Sequence, residues 1–222
     1  MKEYKEYVEA NENAFDKLAD QYYKRMKNPL QDEYTPEAIV NDIFYEYNKQ
    51  YQRDPAKVLE LGPGAGGVIR TFADKGCSTY AIDISEKMIN YAKTVSPNTV
   101  FIKDDILSCE NIFKQKFDII YAGAIIHLFS LHDEQVILCK LKQWLTENGV
   151  LFMNTTLHDK SEEGFLVKED YNGKIKRYRR KWERNELLEF LDRLGYQVVR
   201  EILKDEKERN KTWINLFLIP KG

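Results

Sequence analysis

Apolar positions along this chain recur first at helical spacing and then at strand spacing. In residues 1 to 30, Tyr7, Phe15, Leu18, Tyr22 and Met26 stand three, four or eight apart, the period of a helix face. Thr35-Pro36-Glu37-Ala38 reads as a second helix start, with threonine as the cap and proline in the first turn. Ile39, Ile43, Phe44 and Tyr47 form its apolar face, and Arg53-Asp54-Pro55 closes it. Short apolar runs then alternate with helical ones. KVLELG is a strand, Gly66 to Lys75 a helix closed by Gly76, and STYAIDI a second strand. Glu86 to Thr94 is a helix capped by Ser85, followed by the strands TVFIKDD and KFDIIYAG. Glu134 to Thr146 is a helix stopped by Asn148-Gly149, and GVLFMNTT is a fifth strand. Runs such as VLEL and DIIYAG are near-continuously apolar, as strands covered on both faces are.

After residue 157 the pattern changes. FLVKEDYNGKIKRYRRKW holds Asn172-Gly173 between two alternating runs, a hairpin signal. Glu183 to Leu194 is a helix ended by Gly195, and YQVVREIL and WINLFLIP form an antiparallel pair at a sheet edge. The order predicts an α/β fold. Its seven-stranded, mostly parallel sheet has helices on both faces and an antiparallel C-terminal edge strand. One domain spans residues 1–222, with a helical lid (1–55), a core (56–156), a hairpin insertion (157–182) and a C-terminal helix with strands (183–222).

Composition narrows the class. Of 222 residues, 43% are hydrophobic and 32% charged, an ordinary globular balance. The formal net charge of -2 argues against a protein that coats nucleic acid, which needs a basic surplus. Cys77, Cys109 and Cys139 are scattered, without a CxxC pair, so neither a disulfide framework nor a metal site is expected. A reduced, cytoplasmic setting is expected. No apolar run is long enough to span a membrane, and the opening MKEYKEYVEANENAF has no leader pattern.

The chemistry gathers at VLELGPGAGG. Gly62, Gly64 and Gly67 satisfy G-x-G-x-x-G between a strand and a helix, and Asp83 ends the next strand. In an open parallel sheet that loop lies at the ligand-binding end, and a carboxylate there can accept from vicinal ribose hydroxyls. A ribonucleoside ligand follows. NAD has to be weighed, and three features oppose it. Glu60 lies inside the strand just before the glycines, unsuited to a neighbouring pyrophosphate. Two helices precede the first strand. The tail is a helix and a β pair, without a separate substrate domain. Tyr23 and Lys27, at a Tyr-x-x-x-Lys spacing, precede the glycine loop instead of following it, and no P-loop is present.

Taken together these stretches resemble a class I S-adenosylmethionine-dependent methyltransferase, a Rossmann-like fold, of the small-molecule, ubiquinone/menaquinone-biosynthesis type. FDKLADQYY resembles that family's N-terminal helix; VLELGPGAGG, AIDIS, FIKDDIL and FDIIYAGAIIHLF resemble its ordered motifs; LTENGVLFMNTT and ELLEFLDRLGYQVV resemble its later segments. The resemblance implies S-adenosylmethionine as cofactor, S-adenosylhomocysteine as product and no metal. It implies that Gly62, Gly64 and Gly66 pass beneath the methionine part while Glu60 organises the loop. Asp83 would hold the ribose, and Ile84 and Met88 would flank the adenine. Asp105, or its neighbour Asp104, would accept from the adenine amino group, and the Ile106 amide would read a ring nitrogen. Ala122 and Gly123 would offer a carbonyl to the cofactor's amino group, and Tyr22 would close over the cofactor from the lid.

Two catalytic candidates go with the resemblance, His127 and Tyr22. His127 follows strand four where this family commonly has histidine; a neutral imidazole there takes a proton near pH 7, and the alternative is a bracing role. His132 reads as a helix-start surface residue, and His158 follows strand five, where it can face the pocket. The acceptor is expected to be a small molecule contacting the 1–55 lid and the 157–182 hairpin. Lys174, Lys176, Arg177, Arg179, Arg180 and Lys181 interleave there with Tyr178 and Trp182. Three readings stand for that run: a clamp for an anionic substrate, an RNA contact, or a solvated edge strand. Methylation of nucleic-acid base amines is opposed by YAGAIIH, which lacks the Asp/Asn-Pro-Pro-aromatic motif of such enzymes. A non-catalytic binding module remains a further alternative.

Overall fold

In a computed structural model, residues 2–28, 34–51, 54, 57–109, 116–168 and 175–221 are described. Two helices open the chain, α1 (Lys2–Lys27) and α2 (Pro36–Tyr51). The alternating part runs β1 (Lys57–Leu61), α3 (Gly67–Asp74), β2 (Ser78–Asp83), α4 (Glu86–Val95), β3 (Val100–Lys103), β4 (Phe117–Gly123), α5 (Leu131–Trp144) and β5 (Leu145–Thr156). Then follow β6 (Glu162–Lys168), β7 (Ile175–Lys181), α6 (Arg184–Arg193), β8 (Tyr196–Glu206) and β9 (Lys211–Pro220). The main sheet has the order β3-β2-β1-β4-β5-β9-β8, and β6 pairs with β7 separately.

Strands β1 to β5 are mutually parallel, while β9 is antiparallel to both β5 and β8. The reversed strand therefore lies one in from the edge, and β8 forms the edge itself. Strand order reverses between β1 and β4, which leaves a crevice at their carboxyl ends.

Strand alternation builds two cores. Leu59, Leu61, Ile120, Ala122, Leu151 and Met153 face α5 and α6, where Ile137, Leu138, Leu187 and Leu191 meet them. Val58, Ile119, Val150 and Phe152 face α2 and α3, packing on Val40, Ile43, Ile69 and Phe72. Helix α2 is thus a core helix, and none of its residues lines the crevice. Helix α1 reaches from β7 to α4. The Tyr7 and Tyr178 ring centroids lie 4.5 Å apart at one end, and Tyr23 stacks on Tyr91 at 4.5 Å at the other.

Several element ends differ from the sequence reading. Helix α5 starts at Leu131, because the Ser130 hydroxyl accepts from the Asp133 N–H, and it ends at Trp144. Leu145 already pairs with Phe117, and pairing resumes only at Ile119↔Val150, so Asn148-Gly149 belongs to an irregularity inside β5 and not to a helix stop. Strand β3 ends at Lys103, leaving Asp104 and Asp105 in the loop beyond it. The hairpin strands pair from Glu162↔Lys181 to Lys168↔Ile175. The Asn172-Gly173 turn lies outside the described residues, as do Arg53, Pro55 and Lys174.

Phe152 stacks on Tyr121 at 5.0 Å and meets Phe217 edge-on at 5.2 Å with no exposed surface. Phe152→Ala empties that sandwich and is expected to cost about 3–5 kcal/mol, read as a lowered urea midpoint at unchanged slope.

Candidate functional site

The crevice at the strand-order reversal is a cavity of about 880 Å³ including its open mouth. Its floor is the turn after β1, where the Gly62 N–H donates to the Ile82 carbonyl at 2.8 Å and ties β1 to β2. Gly64 has φ +52°, and a Cβ there would point into open space. The turn thus needs glycine for its backbone and leaves room for a ligand against it. Gly66 serves packing instead: at φ +88° its Cβ would fall 2.9 Å from Ala92 Cα on α4. It is not on the cavity wall.

Carboxylates dominate the polar wall. Asp83 ends β2, and its Oδ1 accepts the Ser85 N–H at 2.8 Å. Asp104 and Asp105 follow β3 and both line the cavity. Asp104 Oδ1 accepts the Asp105 N–H at 2.8 Å, and Asp105 Oδ1 accepts the Leu107 N–H at 3.0 Å. From behind, the Lys140 ammonium donates to the carbonyls of Ile106 at 3.2 Å and Cys109 at 3.1 Å, which fixes this loop. Ile84, Met88 and Ile106 complete an apolar slot beside the acids.

Glu60 lies behind the glycine turn with one oxygen, Oε2, lacking a hydrogen-bond partner. Burial pushes its carboxyl up to about 8, against the pull of the Ile69 N–H, and the Asp83 charge adds to the rise. Burial likewise pushes Asp83 up to about 7, opposed by the Ser85 and Ile84 amides, with Asp16 raising it further. Acids stacked this way accommodate a cationic ligand and repel a pyrophosphate.

Helix α1 covers the opening with Tyr7, Val8, Asn11, Phe15 and Tyr22. It is anchored along its length. Asn11 Nδ2 donates to the Leu128 carbonyl at 2.9 Å, and its Oδ1 accepts the Tyr178 N–H at 2.9 Å. The Ser85 hydroxyl donates to Asp16 at 2.5 Å, and the Tyr7 hydroxyl to Asp133 at 2.5 Å.

Of the predicted residues, Tyr22, Gly62, Gly64, Asp83, Ile84, Met88, Asp104, Asp105, Ile106 and Gly123 converge on the cavity. Glu60, Gly66, Ala122 and His127 do not line it. Ala122 points into the core toward α5, because the strand pleat turns it away. His127 is 3% exposed in a 3-10 turn, Ile126–Leu128, packed against β7 and α5. Its burial argues for bracing over proton transfer. His158 donates to or accepts from Thr156 at 2.9 Å, and burial with nearby Arg179 and Lys181 lowers it to about 4. It is off the cavity wall, and His132 is exposed in the first turn of α5.

The sequence reading missed Asn11 and the segment after β4. Ala124 lines the cavity at φ +55°, strained for alanine, and its N–H donates to Asn154 Oδ1 at 2.7 Å. Asn154 is held in turn by Asn215 at 3.0 Å. The available signal was a pair of asparagines beside apolar runs, VLFMN and INLFL.

The basic run of β7 is not a solvated edge. Arg177 and Arg180 are buried, Arg180 pairs with Glu163 at 3.0 Å and lies over the Trp182 ring, and Arg179 reaches Thr156. Side chains so engaged do not form a nucleic-acid face.

This sheet order, with a glycine turn, an acid closing β2 and acids after β3 around one cavity, defines a class I S-adenosylmethionine-dependent methyltransferase fold. Residues 58–149 match the family model described as a methyltransferase domain. Similar proteins agree. The malonyl-[acyl-carrier protein] O-methyltransferase of Enterobacter lignolyticus is 29% identical over 109 residues, 49% of this chain and 42% of that protein. The ubiquinone biosynthesis O-methyltransferase of Pelagibacter ubique is 28% identical over 130 residues, 58% of this chain and 53% of that protein. The chain thus spans about half the length of these curated relatives. In fold it is similar to the Burkholderia thailandensis 1,6-didemethyltoxoflavin-N1-methyltransferase, a structure with 1,6-didemethyltoxoflavin and S-adenosylhomocysteine bound. That match has a TM-score of 0.73 at 16% identity over 99% of this chain and 91% of the other.

The raised carboxyls fix a pH dependence. Both groups hold protons in the folded protein that they release in the unfolded chain, so between about pH 4 and pH 8 the folded state binds more protons. Stability of the ligand-free protein is therefore greatest at the acid end of that window and falls as pH rises. Urea midpoints taken from pH 5 to 9 should decline, and Glu60→Gln should flatten the decline.

Proposed function

We propose that this chain transfers a methyl group from S-adenosylmethionine to an oxygen, nitrogen or carbon atom of a small molecule. The observation that carries the reading is the acid-walled cavity at the strand-order reversal, in which the Gly62–Gly64 turn and Asp83 face one space closed by α1. The residues fit the cofactor: Gly64 leaves open space against the backbone, and the acids match a sulfonium and an ammonium. When bound, the cofactor supplies a methyl group already activated on a positively charged sulfur.

The chain's own work is then to position. Asp83 accepts from the ribose hydroxyls, and Ile84 and Met88 hold the adenine between them. Asp105 receives the adenine amino group, with Asp104 adjacent, and the Ile106 N–H reads the ring. The Gly123 backbone receives the amino group of the methionine part. Glu60 organises the turn from behind, and Tyr22 closes over the cofactor from α1. Holding two reactants in line in this way supplies about 7–11 kcal/mol of rate enhancement. His127 braces the wall between β7 and α5 instead of taking a proton. The acceptor enters between α1 and the β6–β7 hairpin. A reduced, cytoplasmic setting is supported by three free cysteines, and no helix among the described residues is long and apolar enough to cross a membrane. An oxidoreductase using NAD finds no support in a wall this acidic, nor an RNA methyltransferase in arginines this buried.

Calorimetric titration with S-adenosylmethionine, S-adenosylhomocysteine and NAD tests the reading. Micromolar binding of the first two is expected, with none for NAD. Asp83→Ala should weaken the binding on the order of 100-fold, through loss of charge-assisted hydrogen bonds. Because the ligand needs Asp83 ionised, affinity of the unaltered protein should rise between pH 6 and pH 8. Binding of NAD alone overturns the proposal.

A further inference from the structure

Arg177 is 6% exposed, yet it has neither a carboxylate nor a hydrogen-bond partner among the described residues. Its neighbours on β7 each have a side-chain partner, although Arg179 Nε and Arg180 Nε are buried without a hydrogen bond among the described residues. Arg179 donates to Thr156, Arg180 pairs with Glu163 at 3.0 Å, and Lys181 pairs with Glu162 at 2.7 Å. The contact that Arg177 makes is with an aromatic ring: its guanidinium carbon lies 5.8 Å from the centroid of Phe15. Phe15 is a wall residue of the cavity. The guanidinium therefore sits at the seam of α1 and β7, one ring away from the reaction space.

A buried arginine cannot shed its proton to escape the desolvation cost. A chain that keeps one buried and unpaired is missing a counter-charge, because an uncompensated buried charge costs several kcal/mol. The cavity's own acids do not serve. Asp83, at the end of β2, and Asp104 and Asp105, after β3, each already accept a backbone N–H. The walls near the seam are apolar and aromatic, Tyr7, Phe15 and Tyr22 on α1 with Phe129 after β4.

We propose that Arg177 receives an anionic oxygen group, a carboxylate or a phosphate, carried by an apolar-bodied methyl acceptor. A planar guanidinium meets either group with two parallel hydrogen bonds, and the aromatic wall takes the body of the molecule. This assignment rests on the methyltransferase reading for the word acceptor, but the anion site itself does not.

The test uses the full chain as wild type, Arg177→Met and Arg177→Lys, each saturated with S-adenosylhomocysteine. Benzoate and phenyl phosphate are the anionic probes and benzamide the neutral one, with binding followed by ligand-observed NMR. Wild type should bind at least one anionic probe about tenfold or more tighter than benzamide, the effect of a charge-assisted hydrogen bond. That preference should vanish in Arg177→Met and return in part in Arg177→Lys. Preference for phenyl phosphate over benzoate, or the reverse, identifies the group. Affinity for S-adenosylhomocysteine should stay within about threefold in all three, since a change below ~0.7 kcal/mol leaves the cofactor site intact. The melting temperature of ligand-free Arg177→Met should hold or rise, because an unpaired buried charge has been removed. Equal binding of all probes by wild type, or no binding of any, overturns the proposal. So does an anion preference that survives in Arg177→Met, or a melting temperature that falls while the preference stays. Failure of S-adenosylhomocysteine to bind sinks the cofactor reading instead, and the same probes on the ligand-free protein still decide Arg177.

Discussion

Carboxylates buried at the carboxyl end of a parallel sheet are the constraint around which this molecule is arranged. Glu60 and Asp83 end adjacent strands, and burial holds them up to about 8 and about 7. An acid in that position is tolerable if it stays protonated or if a cation arrives. The surrounding structure keeps both options open. The turn after β1 is tied to β2 by the Gly62 N–H on the Ile82 carbonyl, and backbone amides at Ile84, Ser85 and Ile69 partly satisfy the carboxylates. The site is thereby prepared to trade a proton for a ligand charge.

The second requirement is exclusion of water, and it falls to α1. A solitary amphipathic helix of this kind is held by its contacts and not by propensity. Asn11 is the central contact, since one side chain joins α1 to the Leu128 carbonyl and to the Tyr178 amide. Asp16 does the same toward Ser85, which also caps α4. Helix α1 therefore reads the position of the hairpin and of the β2–α4 turn together, and a shift of either moves the cavity's roof.

Legibility in the sequence followed the range of each interaction. The glycine turn and Asp83 were readable because strand, turn and strand-end lie within one local pattern. Asp104, Asp105 and Tyr22 entered as site residues only through the family resemblance, since helical spacing placed Tyr22 on a helix face and no further. Asn11 was not, because its two partners are far along the chain and a lone asparagine carries no period. The Asn148-Gly149 pair misled for a related reason: it reads locally as a helix stop, whereas pairing of Leu145 with Phe117 draws the chain into β5 earlier. The basic run on β7 was ambiguous because its burial depends on what packs against the strand. Helix α1 and the turn at Ile126–Leu128 contact β7, and Arg177 and Arg180, three apart and so on opposite faces of the strand, are both buried where composition alone would leave them in water.

The two ends of the site carry opposite electrostatic demands, and their separation has a chemical consequence. An anionic acceptor entering an acid-lined cavity beside a sulfonium would be drawn into an ion pair through its charged group. That pairing would turn the methyl-accepting atom away. Coulomb attraction weakens slowly with distance at low dielectric, so shape alone does not prevent it. A guanidinium at the far seam, Arg177 over Phe15, competes for the anion with better geometry than a sulfonium offers. It holds the charged end of the acceptor outward and presents the other end to the methyl group. In that arrangement the cost of burying an unpaired arginine in the free protein is the source of orientation in the complex, since the charge is compensated only when the acceptor lies the productive way round.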